Sequence, residues 1–117
     1  MSRIRCLLRT QRKKSGLYQK ELAALLPRAV HSRVSCVERG LRRPNADEIL
    51  AYELIFGTLP QDLFPGVVFE VEEAVLKNAR KLDARLAKDR SERGMRTRAF
   101  IQAIITQAAH RPRRSRL

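Results

Sequence analysis

Glycine and proline divide the first 66 residues of this 117-residue chain into short segments. Both residues interrupt regular structure, because proline lacks a backbone N–H and glycine has an unusually free backbone. Between them, apolar residues recur every three or four positions, which is typical of the buried side of a helix, and no strand-like alternation competes. The pattern predicts five short helices. The interrupting residues are Gly16, Pro27, Gly40, Pro44, Gly57, Pro60, Pro65 and Gly66.

Each of these five helices has its own apolar group. Asn45, followed by Asp47 and Glu48, has the pattern of an N-cap with acids in the first turn, where the helix dipole favours them. The groups are Ile4, Leu7, Leu8 and Gln11; Leu22, Leu25 and Leu26; Val30, Val34, Val37 and Leu41; Ile49, Leu50 and Leu54; Leu59, Leu63 and Phe64.

The pattern changes at Val67, where a longer amphipathic helix is expected to run to about Lys88. A break at 91–94 precedes a second helix, expected over 95–109. The last seven residues carry four arginines and are expected to be a disordered basic tail. We therefore expect an all-α chain with a first domain at 1–66, a helical extension at 67–110 and a tail at 111–117.

The charge of the chain points to a polyanionic partner, nucleic acid before an anionic membrane. There are 25 Lys and Arg against 12 Asp and Glu, a formal charge of +13. Residues 3–43 hold 12 bases and two acids, and residues 44–66 hold four acids and no base. No apolar run reaches the roughly 20 residues of a membrane span, and no signal peptide is visible. We expect a cytoplasmic, nucleoid-associated protein that does not contact membranes.

Sequence motifs for catalysis or metal binding are not found. There is no nucleophile elbow, phosphate-binding glycine loop or HExxH motif, so no enzymatic activity is expected. Cys6 and Cys36 are expected to be free thiols, and their spacing from His31 and His110 fits no zinc pattern. We expect no metal and no cofactor.

The segment 19–44 has the form of two short helices joined by a turn near Pro27. At 100° per residue, Val34 and Val37 fall on one side of the second helix, and Ser32 and Cys36 fall on the other. A helix that enters the major groove of DNA needs short side chains where it approaches the base edges. The pattern therefore favours a DNA-reading helix.

These residues resemble the helix-turn-helix domain of phage Cro and repressor proteins, the XRE family. The resemblance covers roughly residues 4–65 and implies a five-helix domain whose third helix reads the major groove. Members are mostly transcriptional regulators that bind operators as dimers. The matching residues, in the family's order, are Gly16, Leu17, Gln19, Glu21, Leu22, Ala23, Val34, Val37, Glu38, Arg39, Gly40, Pro44, Leu63 and Phe64.

The resemblance also implies roles for single residues. It places His31, Ser32 and Cys36 at base-reading positions, and Ser35 joins them because it lies on the same helical face. It places Arg12 and Glu38 in a structural ion pair. The residues expected at the DNA backbone are Gln19, Arg28, Arg33, Arg39, Arg42 and Arg43, with solvent as the alternative for Arg39.

The register of residues 28–30 has two interpretations, because the stretch from Gln19 to Glu38 is one residue longer than the family norm. Counting back from Glu38 gives the roles above. Counting forward from Gln19 moves each contact one position earlier and turns Val34 outward. The apolar stripe favours counting back.

The expected function is that of a sequence-specific regulator of transcription, a dimeric repressor that binds its own or a neighbouring operator in a mobile element. Residues 67–110 are expected to form a homodimer, and a second nucleic-acid surface or a docking site for a toxin are the alternatives. Two other functions remain open. The chain could be an antitoxin that binds both toxin and operator, or a non-specific nucleic-acid or RNA-binding accessory protein.

Overall fold

A computed structural model describes residues 5–28 and 30–110, and these residues are helical with no strand among them. The fold is therefore all-α, as predicted. Ile4 and the proposed tail at 111–117 lie outside the described residues. The helices are α1 (Leu8–Lys14), α2 (Gln19–Leu25), α3 (His31–Glu38), α4 (Ala46–Phe56), α5 (Pro60–Leu63), α6 (Pro65–Leu86) and α7 (Glu92–His110).

The described residues divide into two compact units after Phe69, three residues beyond the expected boundary. Helix α6 begins at Pro65 rather than Val67. Proline is well suited to the first turn of a helix, where its missing N–H has no partner to lose. Helix α7 begins at Glu92 rather than Met95, because the Ser91 hydroxyl accepts a hydrogen bond from the Gly94 N–H and caps the first turn.

The core of the first unit is built from α1 to α5. Tyr52 and Phe64 are its largest buried side chains, and their ring centroids lie 5.7 Å apart. The Leu7 N–H donates to the Leu63 carbonyl at 2.7 Å, which fixes the start of α1 against α5. Apolar burial of this kind stabilises a fold by about 25 cal/mol per Å². The fully buried side chains are Leu8, Leu22, Val34, Val37, Tyr52, Leu63 and Phe64.

The turn between α2 and α3 is set by Pro27. Leu26 ends α2 with an extended backbone (ψ 151°), because a residue that precedes proline is disfavoured in the helical region. At the other end of α3, Gly40 has a φ of 74°, a left-handed conformation that glycine adopts without steric cost. Helix α3 is thus delimited on both sides by backbone chemistry.

The apolar stripe on α3 is shorter than expected. Val34 and Val37 are fully buried, but Val30 is 61% exposed and Leu41 is only partly buried. Val30 is the N-cap of α3 and its backbone is extended (φ −113°, ψ 163°), so its side chain does not continue the helical stripe. Assigning Val30 to the buried stripe was therefore wrong.

Helix α4 begins as predicted. The Asn45 side chain accepts from the Glu48 N–H at 2.8 Å, and the Glu48 carboxylate accepts from the Asn45 N–H at 2.7 Å. This reciprocal pair is a capping box. The expected apolar group on α4 is mostly outside the core, since Leu50 and Leu54 are exposed and Ile49 is half-buried; the buried hydrophobic side chain of this helix is Tyr52.

The second unit contains the rest of α6 and α7. Leu76 and Ala79 are buried, and Arg98 of α7 donates to the Asp83 carboxylate of α6 at 2.9 Å. Several of its larger apolar side chains remain exposed. These are Val71, Val75, Met95 and Phe100.

Tyr52 provides a test of the core. Its hydroxyl is buried and has no hydrogen-bond partner among the described residues. Because an unpartnered buried hydroxyl costs about 1–3 kcal/mol, Tyr52→Phe is expected to preserve or raise the free energy of unfolding. Tyr52→Ala should lower it by about 3–5 kcal/mol, since it leaves a cavity. Urea unfolding of the three proteins checks this, and a clear loss of stability in Tyr52→Phe would contradict it.

Candidate nucleic-acid interface

Helix α3 has a buried side and an outward side. Val34, Val37 and Glu38 are buried, which agrees with the apolar stripe and not with an arrangement that turns Val34 outward. On the outward side His31 and Ser32 are exposed, and Ser35 and Cys36 are partly buried. Ser32, Ser35 and Cys36 therefore share one outward face, and His31 lies at the edge of that face, on the side of Glu38. The buried residues of α3 are Val34, Val37 and Glu38. The residues that are exposed or partly buried and were expected to read bases are His31, Ser32, Ser35 and Cys36.

A buried ion pair anchors α3 to α1. The Arg12 Nε donates to Glu38 Oε2 at 2.5 Å and its Nη2 donates to Oε1 at 3.2 Å. A third guanidinium nitrogen donates to the Leu17 carbonyl at 2.7 Å. The Arg12 side chain is 9% exposed and the Glu38 side chain 1%, so each needs the other to offset the loss of water around its charge. The structure thus contains the ion pair that the resemblance implied.

Gln19 extends this pair towards the surface. Its Nε2 donates to Glu38 Oε1 at 3.0 Å, and its Oε1 lies 2.7 Å from His31 Nε2. Gln19 was expected to contact a phosphate. The amide group carries two N–H donors, so one remains for an acceptor outside the protein. The fold therefore uses Gln19 to connect the buried pair with His31, and its contact with a phosphate stays a prediction.

Arg33, expected at the DNA backbone, also makes contacts within the protein. Its Nε and Nη2 donate to the two Glu48 carboxylate oxygens at 2.9 and 2.6 Å. Its Nη2 also donates to the Arg43 carbonyl at 2.8 Å. The guanidinium joins α3 with the start of α4 through Nε and Nη2, a structural ion pair in addition to the predicted contact with the DNA backbone, which stays a prediction.

This second ion pair changes the acidity of its carboxylate. Burial raises the pKa of Glu48, but hydrogen bonds from the Arg33 side chain and the Asn45 N–H outweigh burial, so its pKa lies below the ordinary 4.5. In return, the hydrogen bond to Glu48 raises the pKa of Arg33. The pair is thus fully ionised at neutral pH.

Four other arginines surround α3, and each is exposed. Arg28 precedes the helix, Arg39 is its C-cap, and Arg42 and Arg43 follow it. The Arg39 Nε lies 3.4 Å from the Ser35 carbonyl, so this side chain folds back along the helix. The remaining three lie at the two ends of α3.

Lys20 is a further basic residue at this surface that the sequence reasoning did not select. It is exposed in the first turn of α2 and borders a depression with Tyr18, Gln19 and His31. Its position directly after Gln19, at the start of the helix that precedes the reading helix, was the available signal. Lys20 adds a cation next to the exposed end of α3.

The two cysteines differ in their surroundings. Within the described part of the chain both are free thiols. Burial raises the pKa of Cys6 to about 11, and the Leu8 N–H donates to its sulfur at 3.4 Å. Cys6 is therefore protonated and unreactive at neutral pH. Cys36 is partly buried on the outward face of α3, with Arg39 Nη2 at 3.9 Å from its sulfur.

Two other kinds of site were sought in the described ranges 5–28 and 30–110. They contain no group of three or more His, Cys, Asp or Glu residues placed to hold a metal ion. No helix in these ranges has the length and apolar character needed to cross a bilayer. The prominent chemical feature of the described surface is its cluster of cations around α3.

The pKa of Glu48 predicts how stability depends on pH. A carboxylate whose pKa is lower in the folded state stabilises the protein above its unfolded pKa, and this contribution is lost as the pH falls through the folded value. Glu48→Gln should therefore cost about 2 kcal/mol at pH 7, with the difference from wild type shrinking below about pH 4.5. Thermal unfolding between about pH 3 and about pH 7 measures both curves.

Glu53→Gln is the matched control, because Glu53 lies on the same helix and is partly exposed. Its curve should follow that of the wild type. A constant difference between wild type and Glu48→Gln at every pH would contradict the assigned ion pair.

Comparisons with known proteins were made against family models, curated proteins and solved structures. No family model, no curated protein and no solved structure matches the chain. The candidate interface is therefore defined by its own geometry: an outward face of small polar residues on α3, cations at both ends of that helix, and two ion pairs behind it.

Proposed function

We propose that this protein is a sequence-specific, double-stranded DNA-binding regulator of transcription. The observation that carries the proposal is the division of α3, whose inner side is fixed by Glu38 and two buried valines while its outer side presents short polar side chains. Within α3 this face carries no long charged side chain, and Arg39, which continues the face, lies at the C-cap. A helix that approaches base edges needs short side chains there, whereas an ordinary surface helix does not.

The dimensions agree with a major groove. An α-helix with its side chains is about 10–12 Å across, and the major groove of B-DNA is about 12 Å wide. Ser32, Ser35 and Cys36 are short enough to let the backbone of α3 approach the bases. The base edges would then be read by these residues and by His31 at the exposed start of the helix.

Charge supplies the sequence-independent part of the binding energy. Residues 3–43 carry 12 bases and two acids, a net charge of +10, and they include the helices that form the candidate interface. Each phosphate neutralised by Lys or Arg releases counterions, so affinity depends steeply on salt. Arg28, Arg42 and Arg43 are the exposed residues best placed for these contacts, and Lys20 and Arg39 add to the field.

We further propose that the regulator acts as a homodimer assembled through residues 67–110. In the second unit Val71, Val75, Met95 and Phe100 remain exposed, and a unit of this size rarely buries enough apolar surface alone. Two copies would place two reading helices in successive major grooves about 34 Å apart. Such a dimer would repress by occupying an operator, its own or a neighbouring one in a mobile element.

Selection of bound duplexes from a random pool tests the proposal. The expected result is a palindromic site whose half-sites are separated by about one helical turn, since a two-fold dimer reads two equivalent half-sites. Enrichment of single half-sites would support specific reading and reject the dimer. Recovery of no common sequence would reject specific recognition and favour a non-specific nucleic-acid-binding protein.

Point variants separate base reading from backbone contact. Ser32→Ala or Cys36→Ala should change the preferred sequence, because these side chains face the bases. Arg42→Ala and Arg43→Ala should weaken binding to every duplex and reduce the salt slope by about one unit each. Titrations of selected and random duplexes at several salt concentrations measure both effects. Arginine variants that changed base preference and left the salt slope intact would contradict this assignment.

A further inference from the structure

A chain of hydrogen bonds connects the buried core with the exposed start of the reading helix. It runs from Arg12 to Glu38, from Glu38 to Gln19, and from Gln19 to His31, with the last two distances at 3.0 and 2.7 Å. Glu38 and His31 are seven residues apart, so they lie two turns apart on the same side of α3. Gln19 bridges them from the first turn of α2.

The donor and the acceptor of each hydrogen bond in this series can be assigned by elimination. Both Glu38 carboxylate oxygens accept from Arg12, so the Gln19 group that faces Oε1 is the NH₂ donor. The Gln19 carbonyl oxygen then faces His31 and can only accept as well. The ring nitrogen His31 Nε2 must therefore carry the proton and donate to Gln19.

Whether the other ring nitrogen, Nδ1, donates or accepts a hydrogen bond follows from the tautomer. In a neutral imidazole one nitrogen donates and the other accepts, so Nδ1 of the neutral ring is an acceptor. Nδ1 makes no hydrogen bond within the described residues, and the His31 side chain is exposed. At the start of α3, this leaves one fixed acceptor on the outward face.

We propose that His31 reads an amino group of the operator, the N6 amine of adenine or the N4 amine of cytosine, and that protonation reverses this preference. The amines of adenine and cytosine are the donors that the major groove presents, whereas guanine and thymine present acceptors at the corresponding positions. Protonation of His31 turns Nδ1 into a donor and leaves the bond from Nε2 to Gln19 intact. The ring keeps its orientation, but Nδ1 then pairs with an acceptor on the base in place of a donor. This inference rests on the proposed function.

The charged and titratable groups around the ring come from three helices. Arg12 belongs to α1, Lys20 lies in the first turn of α2 and Tyr18 is its N-cap, and these side chains border the same depression as His31. Glu38 of α3 reaches the ring through Gln19.

Site selection with the full-length protein at about pH 8 and about pH 5.5 tests the proposal. At the higher pH one position in the selected site should favour adenine or cytosine by about three- to tenfold, the effect of one hydrogen bond. At the lower pH the same position should favour guanine or thymine. The pKa of Glu48 lies below its ordinary 4.5, so this ion pair persists at both values.

Two histidine variants serve as a matched pair. His31→Gln offers both a donor and an acceptor and does not titrate, so its preference should be the same at both pH values. His110→Gln alters the chain's other histidine, whose Nδ1 contacts the Thr106 carbonyl within α7, and should keep the reversal. A reversal that persisted in His31→Gln, or a wild-type preference that did not depend on pH, would overturn the proposal.

Gln19→Ala tests the positioning role. Without Gln19 the ring is no longer oriented, so preference at the His31-dependent position should fall towards none while preferences at other positions persist. An unchanged preference at that position would overturn the positioning role.

Nitrogen NMR of the free protein at about pH 8 tests the tautomer without DNA. It should show a proton on His31 Nε2 and none on Nδ1, and the opposite tautomer would overturn the inference directly. Failure to select any common sequence would instead reject the proposed function, and the proposed reading by His31 with it.

Discussion

The Arg12–Glu38 ion pair is the interaction on which the orientation of α3 depends. Both side chains are buried, and a buried charge without its partner costs several kcal/mol, so α1 and α3 are held in one relative position. Bidentate geometry adds directional restraint, because the planar guanidinium fits the carboxylate along one edge. A helix can discriminate between bases with its outward face only if the helix itself is held in one orientation. The ion pair supplies that restraint.

A second ion pair restrains the opposite side of the same helix. Arg33 and Glu48 join α3 to the capping box of α4, and the Arg33 guanidinium also holds the Arg43 carbonyl. The chain that follows the reading helix is thereby fixed, and with it the exposed arginines proposed to contact phosphate. Glu48 has two structural roles here, since it both caps α4 and orients Arg33.

Much of this arrangement could be predicted from sequence, because helices and caps depend on local spacing. The alternation on α3 and the Asn45 cap are examples. Val30 was misassigned because an apolar residue just before a helix has the same spacing as one within it. The Arg33–Glu48 and Gln19–His31 bonds could not be anticipated, since they join residues 15 and 12 positions apart on different helices. Such contacts depend on how helices pack, which periodicity does not encode.

The central claim is that this surface recognises a particular duplex sequence and does not bind nucleic acid by charge alone. The most direct measurement is the ratio of affinities for a selected duplex and a random duplex of equal length, at about 0.15 M salt. We predict that the selected duplex binds about 10³-fold more tightly or better, as specific regulators do. Near-equal affinities would contradict the account and reduce the surface around α3 to a general polyanion-binding patch.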